Sequence, residues 1–176
     1  MMNGMVQVMA RSMVVGLVAG AIAASPRPAV ANVRVPVNQM ASQLRQQTRL
    51  PIMLPDVIPG TTDLLYFSAV GNASEYTLNI DYRSDCGGAA ACSFGGLIAF
   101  QGGVFEDPEL VVPGEIIEWV QLANGVTGQY QYYCGVSCTA LMSWQVQGVL
   151  YNVYLKDGRL DDVVAIANGA IVAGFR

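Results

Sequence analysis

EIIEWVQLANGVTGQYQYYCGVSCTALMSWQVQGVLYNVYL, residues 115–155, contains four strand-like runs and two tight-turn signals. Asn124-Gly125 is a strong hairpin dipeptide, because both central residues of the favoured two-residue turn need positive φ. It separates a run at 115–122 from one at 126–133. Gln147-Gly148 separates 141–147 from 149–155 and predicts a second hairpin. Within 126–133, Tyr130 and Tyr132 alternate with Gln129 and Gln131, so an aromatic pair shares one face of that strand.

The same grammar extends upstream. The run 64–70 leads through Gly71-Asn72-Ala73-Ser74 into 75–82, where Tyr76, Leu78, Ile80 and Tyr82 alternate with Glu75, Thr77, Asn79 and Asp81. That pattern is a strand with one wet face. A further strand is expected at 94–100, followed by a loop of glycine, proline and acid at 102–114. Alternation is cleaner in 75–82 than in 64–70 or 94–100, which suggests a sheet centre covered on both sides and edges wet on one.

Helical spacing appears only at the flanks. Val37, Met40, Ala41 and Leu44 fall at i, i+3, i+4 and i+7, one helix face, and Pro51 stops the pattern. Residues 32–38 read as a flexible lead-in. Residues 51–60 are apolar but interrupted by Pro51, Pro55 and Pro59, which suggests a short edge strand or an extended crossing. After Asp157-Gly158, Asp161 and Asp162 suit the first turn of a helix with Leu160, Val163, Val164, Ala167 and Ile171 as its buried stripe; Gly174 closes it. The expected fold class is α+β: an antiparallel sheet of about six or seven strands with N-terminal and C-terminal helices packed on it, on one shared face or on opposite faces.

Residues 1–31 read as a signal peptide and 32–176 as a single α+β domain. Arg11 precedes the uncharged run 12–24, which is too short to span a bilayer. Ala29-Val30-Ala31 then offers small residues for cleavage before Asn32. No later segment reaches spanning length without charges, so membrane contact is expected only through the leader before cleavage. The chain is therefore expected to be exported, to the periplasm or the medium. Four cysteines agree with that: Cys86, Cys92, Cys134 and Cys138, an even count in two local pairs. Three connectivities are possible, and 86–92 with 134–138 is favoured because each closes a short glycine-containing loop between strand-like runs. The rival, a four-cysteine zinc site, would need C-x5-C and C-x3-C half-sites in place of the usual knuckles.

The chain of 176 residues is 53 % apolar and 12 % charged, with net charge −4 and no histidine. An acidic surface argues against nucleic acid as a partner. Without histidine, Ser-His-Asp and Cys-His catalysis and His-ligated metal sites are excluded. Glu106, Asp107, Glu109, Glu115 and Glu118 crowd one stretch but lack calcium-loop spacing, and Asp157, Gly158, Asp161 and Asp162 are explained by turn and helix-start chemistry. No metal and no cofactor is expected. The aromatics Trp119, Tyr130, Tyr132, Trp144 and Tyr151 are the candidate binding residues, as the lining of a cleft; core packing is their other reading.

The tail of Trp144, Gly148 and Tyr151, then Leu160, Ile166, Ala167, Asn168 and Ile171, together with residues 43–55 and the paired-cysteine loops, resembles uncharacterised exported proteins of cyanobacteria. The tail is also similar to the end of a bacterial extracytoplasmic domain of unknown function, distantly like lipoprotein-carrier folds. The resemblance implies an exported α+β domain and carries over no functional residues. The expected function is non-catalytic binding of a protein partner or a small apolar ligand in the cell envelope. The alternatives are a histidine-free carboxylate hydrolase using Glu115 and Glu118, and a purely structural envelope-assembly protein.

Overall fold

The computed structural model describes residues 32–61, 63–110 and 113–176; the leader assigned to 1–31 lies outside the described residues. The elements run β1 (Asn32–Arg34), α1 (Val37–Arg45), β2 (Val57–Pro59), β3 (Tyr66–Gly71), β4 (Glu75–Asp81), β5 (Ser93–Gln101), β6 (Ile116–Gln121), β7 (Thr127–Cys134), β8 (Cys138–Val146), β9 (Val149–Lys156) and α2 (Leu160–Ala173). The fold is α+β, as expected. Seven strands form one antiparallel sheet in the order β3-β4-β5-β9-β8-β7-β6. Each of the seven overlaps a run read from the sequence.

Turn chemistry sets the hairpins. Gln147 (φ 53) and Gly148 (φ 75) supply the two positive φ angles that a right-twisted hairpin needs, and Asn124 (φ 55) and Gly125 (φ 74) do the same between β6 and β7. Between β3 and β4, the Asn72 side chain accepts hydrogen bonds from the backbone N–H of Ser74 and Glu75.

Register puts Leu78, Leu97, Val153, Met142 and Tyr130 in one row across five strands, with Tyr76, Ala99, Tyr151 and Trp144 in the next. All are buried. Both helices pack on this face. Met40, Ala41 and Leu44 are the buried stripe of α1, and Leu44 lies against Gly71 of β3. In α2 the buried stripe is Val163, Ile166, Ala167, Ala170 and Ile171, while Leu160 and Val164 pack at its margin. Asp162 accepts a hydrogen bond from the Arg159 N–H and closes the start of the helix.

The proline-interrupted segment is an extended crossing over that same helix-covered face. Met53 N–H donates to the Tyr76 hydroxyl at 2.9 Å, and that hydroxyl donates back to the Met53 carbonyl at 3.1 Å. Tyr151 donates to the Pro51 carbonyl at 2.8 Å, and the Trp144 ring N–H points at the Met53 sulfur at 3.4 Å. A buried irregular segment must pair its main-chain groups. Prolines at 51, 55 and 59 remove three donors from that requirement, and the aromatic tips satisfy others. Phe175 forms a bridge to Met53, and Arg176 N–H donates to the Ile52 carbonyl, so the end of the chain is stitched to the same segment.

Two expectations are corrected. Residues 32–34 are not a lead-in: β1 pairs with β2, with Val33 opposite the fully buried Ile58. Among the described residues, the sheet centre is not helix-covered on both sides. Ile98 and Phe100 lie on the second face only half-buried, and their run looked continuous because apolar residues occupy both faces of β5.

Candidate functional site

Among the described residues, the second face of the sheet is covered only at its two ends. At one end the link between β5 and β6 crosses β8 and β7. Glu106 N–H donates to the Gln129 side-chain oxygen at 3.1 Å, and the Gln129 amide N–H donates to the Glu106 carbonyl at 2.8 Å. Gln145 donates to the Gly103 carbonyl, and Phe105 sits edge-on to Trp119 with ring centres 5.1 Å apart. This docking explains why Gln129, a polar residue on the wet side, has no exposed surface. At the other end, the loop closed by the Cys86–Cys92 disulfide folds back over β4. Gly88 N–H donates to the Asp81 carboxylate at 3.1 Å. A Cβ on Gly88 would lie 2.7 Å from the Asn79 side-chain oxygen, so the close approach requires glycine. The second disulfide, Cys134–Cys138, closes the loop between β7 and β8. Both bonds match the favoured pairing and are compatible with an oxidising location.

Between these covers lies a trough made of three adjoining hollows. The first, about 410 Å³, is walled by Ala90, Ala91, Val136, Thr139 and Tyr154, with Lys156 beside them. Lys156 donates to the Ala90 carbonyl at 2.9 Å. The second, about 310 Å³, is lined by Ile98, Phe100, Leu141, Tyr133, Asn152 and Tyr154. The Asn152 side-chain oxygen is buried there with no hydrogen-bond partner. The third, about 330 Å³, lies under the crossing link and is lined by Glu106, Asp107, Glu115, Ile117, Gln131, Tyr133 and Leu141, with Ile116 and Tyr132 at its edge. Tyr154 is shared by the first two hollows, and Tyr133 and Leu141 by the last two. Burial pushes the Tyr154 phenol above its ordinary range; a hydrogen bond with Ser93 opposes this, and nearby Asp81 and Tyr133 add to it. The lining is apolar at one end, mixed in the middle and acidic at the other.

The five aromatics singled out from the sequence do not converge on this trough. Trp144 and Tyr151 are stacked with ring centres 5.6 Å apart and have no exposed surface. They are core residues, and burial raises the Tyr151 phenol far above its ordinary value. Tyr130 lies beside them on the helix-covered face, its phenol raised by burial, then by Tyr132 and Glu118. Tyr132 shares that face and touches only the rim of the third hollow. Trp119 is the one of the five on the open face, 55 % exposed. Glu115 and Glu118 are also parted: Glu115 lines the third hollow, whereas Glu118 pairs with Tyr130 on the helix-covered side.

What sequence reading missed is the set of non-aromatic and β5 side chains on the open face: Ile98, Phe100, Leu141 and Asn152. The signal was present in 149–155, where Leu150, Asn152 and Tyr154 alternate with Tyr151 and Val153. Among the described residues no group of three or more cysteine, aspartate or glutamate side chains is placed to hold a metal, and no helix is long and apolar enough to cross a membrane.

Fold and trough together define an antiparallel sheet sealed by helices on one side and hollowed on the other. Compared with models of protein families, with characterised proteins and with solved structures, the chain matches none.

Proposed function

We propose that the chain is an exported, non-catalytic binding domain of the cell envelope that takes an apolar ligand or an apolar segment of a protein partner on its open sheet face. The observation that carries this reading is the continuity of three hollows, joined through Tyr154, Tyr133 and Leu141, on the side of the sheet that no α-helix among the described residues covers. Ligand sites are concave, largely apolar and furnished with a few polar groups, and Lys156 and Asn152 provide such groups here. The leader-like segment 1–31 and the two disulfides support export.

The test uses the fluorescent probe 1-anilinonaphthalene-8-sulfonate on the purified oxidised protein. Leu141 is half-buried on the open face, so Leu141→Glu places a charge in the trough without entering the core. The expected result is probe enhancement with the native protein and its loss in Leu141→Glu, with the near-ultraviolet circular dichroism of the core unchanged. Equal enhancement in both proteins would overturn the assignment of the binding face. For export, mass spectrometry of native material is expected to show an N-terminus near Asn32 and no free thiol.

A further inference from the structure

Resting on the open-face reading, we infer that the trough is a site for a short apolar peptide laid across the strands, with its free carboxylate at Lys156 and a cationic group at its other end, beside Glu106 and Asp107. Two features, one at each end of the trough, fix this polarity. Lys156 is the only lysine of an acidic chain, and among the described residues no carboxylate pairs with it. One of its three donors is used on the Ala90 carbonyl, which anchors the ammonium and leaves the others for an anion. At the opposite end the crossing link brings Glu106 and Asp107 to the third hollow, where a positive charge is favoured.

The acidic end of the trough decides between a peptide and a fatty acid. A fatty acid would satisfy Lys156 and the apolar walls, but its chain would end against carboxylates. A peptide supplies side chains to Ile98, Phe100 and Leu141, and a cation to the acidic end. The length also fits. From β9 to β6 is three strand spacings, about 14 Å at ~4.8 Å each, which an extended peptide covers with about four to five residues.

Isothermal titration calorimetry tests this on the full oxidised protein with three synthetic probes: Arg-Ile-Ala-Val-Leu with a free carboxylate, its C-terminal amide, and Glu-Ile-Ala-Val-Leu. The first is expected to bind best, with each of the other two weaker by about fivefold at low salt. Lys156→Met should abolish the difference between acid and amide, and Lys156→Arg should restore it. Glu106→Gln with Asp107→Asn should abolish the difference between the arginine and glutamate probes. Equal affinity of acid and amide for the native protein, or a difference that survives Lys156→Met, would overturn the inference. If decanoate binds and displaces the fluorescent probe while no peptide does, the peptide assignment fails and the open-face reading stands. If Leu141→Glu leaves the fluorescent probe unaffected and no peptide binds, both fail.

Discussion

Trp144 and Trp119 belong to the same sheet two strands apart, yet one has no exposed surface and the other is 55 % exposed. The difference shows how the two sides of the sheet are built. On the helix-covered side, aromatic tips clamp an irregular segment: Tyr76 holds Met53 by two hydrogen bonds and Tyr151 holds Pro51 by one. On the open side, amides do the clamping: Gln129 holds Glu106 by two hydrogen bonds and Gln145 holds Gly103 by one. Both sides thus fasten a strandless stretch of backbone through side chains. The aromatic clamp brings bulk and seals the space beneath it. The amide clamp brings reach without bulk and leaves hollows.

The largest expected contrast is in stability. Trp144→Ala should cost about 3–5 kcal/mol, the range for truncating a large core aromatic. Trp119→Ala should stay within about 0.5–1 kcal/mol. Urea denaturation measures both, and acrylamide should quench Trp119 while sparing Trp144. Similar losses for the two would break the distinction between the sides.

The aromatic clamp itself comes next. Tyr76→Phe leaves the Met53 N–H and carbonyl without their shared partner and should cost about 1–3 kcal/mol. The same phenols set an alkaline limit. Burial raises both Tyr76 and Tyr151 above the ordinary value of 10.0, so the folded state holds their protons where the unfolded chain has lost them. Their contribution is fully present below pH 10 and is lost as pH rises beyond it. Absorbance at 295 nm should show these two tyrosines ionising only together with unfolding. Smooth ionisation of all tyrosines near pH 10 with the fold intact would contradict the sealed side.

The last contrast belongs to the loop that covers the open side. Replacing Cys86 and Cys92 with serine removes a short loop closure and should cost about 2 kcal/mol. Because that loop covers one end of the trough, fluorescent-probe binding should change more than core circular dichroism. A change in the core signal with unaltered probe binding would reverse the roles assigned to the two sides.

How much of this could be read from residues alone follows from the same contrast. Strand positions were legible because alternation and turn residues are local: Asn124-Gly125 and Gln147-Gly148 fix two hairpins whatever surrounds them. The pairing of Cys86 with Cys92 was legible because the loop is short. Which side each residue faces relative to the helices was not, since alternation separates two sets without saying which is inside. In β7, Tyr130 went in and Gln129 went out, but Gln129 is also buried, by a loop whose course no periodicity encodes. The 51–59 crossing was half legible: its prolines excluded a central strand, but its contacts to Tyr76 and Tyr151 are made across 23 and 100 residues of chain. The trough was missed for the same reason, because its lining comes from five separate strands and three loops.

The order of strands has a kinetic corollary. β3 to β5 and β6 to β9 are each a ribbon of neighbours in sequence, and a single seam, from Gly95 opposite Leu155 to Gln101 opposite Val149, zips the two ribbons into one slab. Hairpins assemble on local contacts, whereas that seam must close a loop of ~50 residues, whose entropic cost is met before its pairing returns anything. The slowest event in folding should therefore be the meeting of β5 with β9, with each ribbon already laced on its own.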